Sequence, residues 1–146
     1  MNNFRSNCPI SSALELIGDK WSLLIVRDML IFQKSTFKDF ESSPEHIATN
    51  ILSSRLKLLE CSGILTKHKL KTNKKTNVYL LTAKGYDLAD ILAGFLTWGD
   101  KHLRLQHPEM TDINIEMNNI ELNKKIELII TAYKEFRDLQ FDACVK

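Results

Sequence analysis

The chain has 146 residues, of which 44% are hydrophobic and 26% are charged, and its formal net charge is +2. This length suits one domain with an appended segment, and no apolar run approaches the roughly 20 residues that a membrane helix needs. The N-terminus lacks the apolar core of a secretory signal, so we predict a cytoplasmic protein with no membrane part. Nothing in the sequence predicts an enzyme, since it has no Gly-rich phosphate loop, nucleophile elbow or paired acids near a histidine.

The cysteines and histidines predict neither disulfides nor a metal. Cys8, Cys61 and Cys144 are far apart and odd in number, which fits a reducing compartment. The 4 histidines form no pair at the spacing of metal ligands. We therefore predict no metal and no cofactor.

The small net charge hides a basic segment from Arg55 to Lys84. It carries 8 basic residues and 1 acid, so its charge is +7 and that of the remaining chain is −5. A basic stripe of this kind is expected of a phosphate-binding surface. A solvated, lysine-rich surface is the alternative, and charge alone does not decide between the two.

Three helices are predicted first in chain order. Pro9 and the serines after it start a helix that ends at Gly18. Asp19 caps a second, largely buried helix from Lys20 to about Phe32. A short third helix over 37–40, capped by Ser35 or Thr36, ends before Pro44.

A fourth helix, predicted over 48–61, has two different faces. Its buried stripe is formed by Leu52, Leu56 and Leu59. The side chains at the start of its other face are small or polar and stand three and four residues apart: Thr49, Asn50, Ser53, Ser54 and Lys57.

A hairpin and two longer helices complete the chain. Two β-like runs, 64–71 and 77–81, flank a polar, basic loop and predict a β-hairpin with a charged tip. A long helix capped by Thr82 starts at Ala83 and ends before Pro108, and an acidic connector follows over 110–119. The last helix, about 122–141, carries an apolar stripe that needs either its own domain or a second subunit as a partner.

The order of these elements predicts a mainly α fold with a small β-hairpin wing (α+β), a winged helix-turn-helix with flanking dimerisation helices. Residues 1–106 are predicted to form the DNA-binding domain with its flanking helices, and 107–146 a connector and a C-terminal helix that packs on the dimer. A helix with small polar residues can enter the DNA major groove, which is about 12 Å wide. The hairpin can then straddle the neighbouring phosphates, and the basic segment covers the hairpin and the second half of the helix.

The sequence also resembles the HxlR-type bacterial transcriptional regulators, a family related to the MarR type. The motifs that carry the resemblance are Cys8-Pro9, Ile17-Gly18-Asp19-Lys20-Trp21, Leu24-Ile25-Val26-Arg27-Asp28, Phe37 to Phe40, Ile47-Ala48-Thr49-Asn50-Ile51-Leu52 with Arg55-Leu56, Leu59-Glu60 with Gly63-Ile64-Leu65, Tyr79 to Gly85, and Leu96-Thr97-Trp98-Gly99. The resemblance implies a homodimer that binds palindromic operators and represses or activates nearby genes. Three features depart from the family: Ala48 stands where a serine is common, the wing lacks a Pro-rich tip, and the segment after Leu105 matches nothing.

The predicted contacts with double-stranded DNA lie on the fourth helix and the wing. The residues predicted to contact base edges carry small polar side chains. They are Thr49, Asn50, Ser53 and Ser54. Phosphates are assigned to Lys57 and to the wing residues Lys71, Lys74 and Lys75. An ordinary exposed helix start and a solvated loop are the alternatives.

Two further residues have open roles. Arg55 either contacts DNA or braces the fold through an acid such as Glu60 or Asp39. Cys8 is a candidate redox sensor, because some relatives sense quinones, aldehydes or oxidants through a cysteine before the first helix, and a helix N-terminus favours a reactive thiolate. A small cysteine that packs without reacting is the alternative.

The leading prediction is a DNA-binding regulator, and two others compete with it. One is a winged helix that binds proteins and never touches DNA, which would show a flat salt dependence and no retention on DNA. The other is a metal-responsive regulator, for which the ligand spacing is poor.

Overall fold

The computed structural model describes residues 4–110 and 121–145, and the predicted fold class is confirmed in them. The elements in chain order are α1 (Pro9–Ile17), α2 (Lys20–Phe32), α3 (Phe37–Glu41), α4 (Thr49–Cys61), β1 (Leu65–Lys69), β2 (Asn77–Leu81), α5 (Ala83–Tyr86), α6 (Ala89–Leu103) and α7 (Leu122–Ala143). The predicted connector over 110–119 lies outside the described residues, except for Met110.

Local hydrogen bonds explain where α2 and α3 begin. The carboxylate of Asp19 accepts hydrogen bonds from the amides of Trp21 and Ser22. At α3, the Thr36 hydroxyl accepts from the Asp39 amide while the Asp39 carboxylate accepts from the Thr36 amide. These are an N-cap and a capping box, and each supplies acceptors to amides that have no partner in the helix. Both helix starts were predictable from the sequence.

The start and end of α1 agree with the prediction, but its serine cap is wrong. Cys8 is the N-cap residue, and Ser12 lies inside the helix, where its amide donates to the Cys8 carbonyl over 3.0 Å. Proline at the first helical position has no amide to cap. The helix ends at Gly18, where a Cβ would lie 2.3 Å from the Leu14 carbonyl oxygen, so only glycine fits.

The single long helix predicted from Ala83 is two helices. α5 ends at Tyr86, and the Leu88 amide donates to the Gly85 carbonyl over 3.2 Å in a tight turn before α6 begins. Thr82 holds α5 on the hairpin, since its hydroxyl donates to the Gly63 carbonyl over 2.7 Å. The turn redirects the chain from the hairpin to α2, and because its residues keep right-handed helical dihedrals the hydrophobic period did not reveal it.

The core lies between α2, α4, the hairpin and α7. Its completely or almost completely buried side chains come from all four: Val26, Met29, Leu52, Leu56, Leu59, Leu65, Leu81 and Tyr133. The two strands pair antiparallel, with Leu65 opposite Leu81 and Lys69 opposite Asn77. The predicted first strand is therefore shortened to five residues.

The last helix, α7, packs on its own chain. Tyr133 is fully buried, and its hydroxyl oxygen accepts a hydrogen bond from the Leu81 amide over 2.7 Å. Burial raises the pKa of Tyr133 to about 12. One side of α7 is thus part of the domain core, while Leu128 and Leu139 stay exposed. The division at residue 106 and the packing of α7 on a dimer remain predictions.

Candidate nucleic-acid interface

The polar face of α4 lies at the surface. The side chains of its five polar residues are all exposed: Thr49, Asn50, Ser53, Ser54 and Lys57. Leu52, Leu56 and Leu59 lie on the opposite side and are buried. The amphipathic period therefore leaves a face of small side chains open to a partner.

The N-terminus of α4 forms without the serine that is common in the family at the position of Ala48. The helix begins at Thr49, one residue later than predicted, and Ala48 is its N-cap residue. The Leu52 amide donates to the Ala48 carbonyl over 2.9 Å. Within the described residues no side chain caps this helix, so backbone bonding alone defines its start.

A buried charged network holds the loop that leads into α4. Asp28 is 3% exposed and accepts hydrogen bonds from Arg27, Lys34 and the Ser43 hydroxyl. Arg27 also donates to Glu45 over 2.6 Å, and this bond lowers the pKa of the Glu45 carboxyl. Because buried charges need partners, the network fixes the loop and with it the start of α4.

Arg55 braces α4 through an acid that sequence reasoning did not name. Its guanidinium donates to the Asp19 carboxylate over 3.4 Å, so α4 is tied to the N-terminus of α2. The predicted partners Glu60 and Asp39 are wrong. Glu60 stands five residues on, which places it on another side of the helix, and the Asp39 carboxylate accepts from amides at the start of α3.

Two of the wing lysines project from the hairpin tip. Lys74 and Lys75 are exposed, and neither pairs with an acid in the part of the chain that the structure describes. The side chain of Asn73 accepts from the Lys75 amide over 3.1 Å and shapes the turn. Lys67 and Lys69 of β1 are also exposed. These two lysines belong to the basic segment but were not among the predicted DNA contacts.

Lys71 differs from the other wing lysines because the C-terminus of the chain holds it. Its ammonium donates to the Asp142 carbonyl over 2.6 Å, and its amide donates to the Ala143 carbonyl over 3.0 Å. Next to it, Leu70 forms a β-bridge with Cys144, and the Val145 amide donates to the Lys69 carbonyl over 2.7 Å. Residues 143–145 thus extend the edge of the hairpin. Two or three residues are too short a strand for a sequence pattern to reveal.

The three cysteines lie in different environments, and none forms a disulfide. Cys8 is exposed at the N-cap of α1, and its amide donates to the Ser6 hydroxyl over 3.3 Å. Cys61 is also exposed. Cys144 is buried beside Val78, and burial raises the pKa of its thiol. Of these thiols, only that of Cys8 is both accessible and at the start of a helix.

Large apolar side chains remain exposed on α1 and α6. Ile10 is 71% exposed, Leu14 61%, Phe95 61% and Trp98 58%. Trp21, by contrast, is partly buried against the core. Several large apolar side chains exposed on a small domain mark a candidate interface.

The helices α2 to α4, followed by the antiparallel hairpin, define a winged helix-turn-helix protein. The HxlR-like helix-turn-helix family matches residues 16–107. The chain therefore belongs to this family, as the sequence motifs predicted.

The chain is also similar in sequence and in structure to individual known proteins. The HTH-type transcriptional regulator sll1512 of Synechocystis is 28% identical over 102 residues, which cover 70% of this chain and 75% of sll1512. The solved structure of PA1607 has a TM-score of 0.69 and 28% identity, and covers 83% of this chain and 82% of PA1607. The redox regulator HypR in its oxidised form has a TM-score of 0.56 and 26% identity, and covers 65% of this chain and 97% of HypR.

Across residues 4–110 and 121–145, no helix combines the length and the apolar character that crossing a bilayer requires.

Proposed function

We propose that the chain is a sequence-specific, double-stranded-DNA-binding transcriptional regulator that acts as a homodimer on palindromic operators in the bacterial cytoplasm. The observation that carries the proposal is the exposed polar face of α4, which directly precedes the basic segment that contains the hairpin tip and shares Lys57 with it. Family membership supports it.

In the proposed complex, the N-terminal half of α4 lies in the major groove. The side-chain amide of Asn50 can make two hydrogen bonds with adenine. The hydroxyls of Thr49, Ser53 and Ser54 can form hydrogen bonds with more than one kind of base. Their exposure supports this role. The salt bridge from Arg55 to Asp19 leaves the Arg55 side chain 32% exposed, so this residue can brace α4 and still reach a nearby phosphate.

The wing supplies affinity rather than specificity. Lys74 and Lys75 are proposed to contact phosphates across the adjacent groove, with Lys57 on α4 doing the same. Lys71 has a second role, since its ammonium also binds the C-terminus of α7. Phosphate contacts release counterions, so the affinity for DNA should fall steeply with salt.

The homodimer is proposed to form through the apolar surfaces of α1 and α6, with the 107–146 segment packing on it. Symmetric dimers are the commonest closed assembly. A two-fold axis would place two copies of α4 about one helical turn of DNA apart, which requires an operator with dyad symmetry.

Cys8 is proposed to sense oxidants or electrophiles. Its exposure and its place at the start of α1 support this role, as does the similarity to the redox regulator HypR. A thiolate there can be oxidised by hypochlorite or add to a quinone.

The proposal is tested by a gel shift of the purified protein on its own upstream intergenic DNA, with and without hypochlorite. We expect retention of that DNA over a random duplex, and loss of retention on oxidation in the wild type but not in Cys8→Ser. Oxidation that acts equally on Cys8→Ser would contradict the sensing role. Failure of both proteins to bind any duplex would favour the alternative of a protein-interaction module.

A further inference from the structure

We propose that a cavity between α2, α6 and α7 binds a small apolar molecule with an anionic head group, and that α7 couples its occupancy to the wing. The inference rests on the proposed function, because it supplies the regulation of that DNA-binding surface. The cavity has a volume of about 490 Å³, which lies within the range of small-molecule sites.

The walls of the cavity are apolar and come from three helices. Leu23 and Leu24 line it from α2, Leu92 and Leu96 from α6, and Ile126 from α7. These side chains lie between helices of the fold but are only partly buried, because the cavity leaves them accessible. A ligand with an apolar body would remove this surface from water, which is the main source of affinity in such sites.

The charges at the cavity select an anion. Lys20, Arg27 and Lys125 reach it, and Asp19 is the one acid among its lining residues. Asp19 caps α2 and pairs with Arg55, and Arg27 is paired with Asp28 and Glu45.

The Lys20 ammonium lies over the Trp21 ring, 4.7 Å from its centroid, so Lys125 is the lining cation that we assign to the ligand. It is half-buried in the first turns of α7, and no acid among the described residues pairs with it. An ammonium beside an apolar cavity is stabilised by an incoming carboxylate or sulfonate. The expected ligand is therefore an apolar acid rather than a neutral hydrocarbon.

One wall of the cavity lies outside the family core. The family match ends at residue 107, whereas α7 begins at Leu122. The structural match with HypR covers 97% of HypR but only 65% of this chain. The C-terminal helix thus adds to the winged helix a wall that the family pattern does not specify.

The same helix reaches from the cavity to the wing. From Leu122 to Phe141 a straight helix spans about 30 Å. Beyond the cavity, the Tyr133 hydroxyl binds the β2 backbone, and the Phe141 ring lies 5.3 Å from the His68 ring of β1. At its end, the Asp142 carbonyl holds the Lys71 ammonium. A ligand that displaces the first turns of α7 would therefore displace the strand edge that carries a wing lysine.

Binding is tested on the full chain with 8-anilinonaphthalene-1-sulfonate, an apolar fluorescent anion, and with decanoate and decanol as competitors. We expect one saturable probe site per chain, from which decanoate displaces the probe more effectively than decanol. Lys125→Met should weaken binding of the probe and of decanoate about tenfold, because one charged contact is lost, and should leave the competition by decanol unchanged.

Two further variants control for surface charge and for shape. Lys124→Met is the matched control, since Lys124 is exposed and pairs with Glu127, and it should bind like the wild type. Ala93→Leu narrows the cavity from α6 and should weaken the probe and both competitors alike, with circular dichroism to verify folding. The absence of a saturable site, or equal losses in Lys124→Met and Lys125→Met, would overturn the proposal. Probe binding that increases when the protein is diluted would also overturn it. Such an increase would mean that a second copy of the chain fills the cavity and leaves it when the dimer dissociates.

The coupling is tested by the gel shift on upstream DNA with saturating decanoate. We expect decanoate to weaken DNA binding at least several-fold in the wild type and to have no effect on Lys125→Met. Decanoate that binds without changing the DNA affinity would overturn the role of α7. If DNA is bound but no probe is, the cavity proposal is wrong and the proposed function stands. If the Lys125-dependent site is present and no form binds DNA, the site is supported and the proposed function is wrong.

Discussion

Tyr133 joins α7 to the hairpin through one buried hydrogen bond. Its hydroxyl is the partner of the Leu81 amide, and a buried amide left without a partner costs free energy. We predict that Tyr133→Phe lowers the free energy of unfolding by about 1–3 kcal/mol in urea denaturation. Tyr86→Phe is the matched control and should change it by less than about 0.5 kcal/mol, since no hydrogen bond of the Tyr86 hydroxyl is found in the described residues. Equal losses in the two variants would contradict the role of this bond.

The bond between Arg27 and Glu45 predicts a pH dependence of stability. It holds the pKa of Glu45 in the folded protein below its ordinary value of 4.5. The stabilisation is therefore complete above about pH 4.5 and is lost as the pH falls through the lower, folded pKa. Because the Glu45 side chain is 34% exposed, Glu45→Gln should lower the free energy of unfolding by no more than about 1 kcal/mol at pH 7.

Urea denaturation at pH 7 and pH 3 measures this effect. The difference between wild type and Glu45→Gln should shrink at pH 3, because this pH lies below the ordinary pKa of Glu45, and folding then favours its ionised form less than at pH 7. Glu41→Gln, at an exposed residue without an ion pair among those described, controls for the loss of a surface charge. A difference that persists unchanged at pH 3 would show that the ionised pair is not its cause.

Contacts between distant residues mark the limit of prediction at this scale. The Asp19 cap followed from a residue type and its neighbours, so it was predictable. The same carboxylate binds Arg55, which lies 36 residues away, and Leu81 lies 52 residues from Tyr133. Such pairs depend on how helices cross in three dimensions, which no local pattern encodes.

At the scale of elements, α5 packs directly on the backbone before β1. A Cβ at Gly85 would lie 2.2 Å from the Ile64 carbonyl oxygen, and that oxygen already accepts from the Thr82 amide over 3.0 Å. Gly85→Ala should therefore lower the free energy of unfolding by about 1–3 kcal/mol. In α6, a Cβ at Gly94 would have no atom within 4 Å.

The matched substitution Gly94→Ala should raise stability by about 0.5–1 kcal/mol, because alanine is the better helix former. Thermal and urea unfolding of the two variants provide the comparison. If Gly94→Ala destabilises as much as Gly85→Ala, this face of α6 is covered in solution. If Gly85→Ala is neutral, the close packing of α5 is wrong.

Elements with a local signal were predicted well. The bounds of α2 and β2 and the polar face of α4 followed from period and capping residues. The turn between α5 and α6 did not, because its dihedrals remain helical. The wing was predicted as a two-stranded hairpin, whereas residues 143–145 also bond to its edge. That contact is set by the length and direction of α7 rather than by the sequence near the wing.

At the scale of the whole molecule, the exposed apolar residues of α1 and α6 predict a homodimer. Light scattering at micromolar concentration should give twice the chain mass of 16.8 kDa. Phe95→Glu should shift this mass toward that of the monomer, since a charge would be buried in the interface. Phe32→Glu, at a residue 53% exposed at the end of α2 and outside the proposed interface, should leave the mass unchanged. A monomeric wild type would contradict the dimer and the dyad symmetry of the operator.

The most direct test of the central claim, that α4 reads bases while the wing holds phosphates, is a competition titration of upstream against random DNA at two salt concentrations. Asn50→Ala should lose about 1–3 kcal/mol on the upstream site and relax the preference for it. The double variant Lys74→Ala, Lys75→Ala should weaken both DNAs by a similar factor and flatten the plot of log affinity against log salt by about two units. If the double lysine variant loses discrimination while Asn50→Ala only weakens binding, the two roles are reversed. If neither variant changes the affinity for DNA, the basic segment is not a DNA surface.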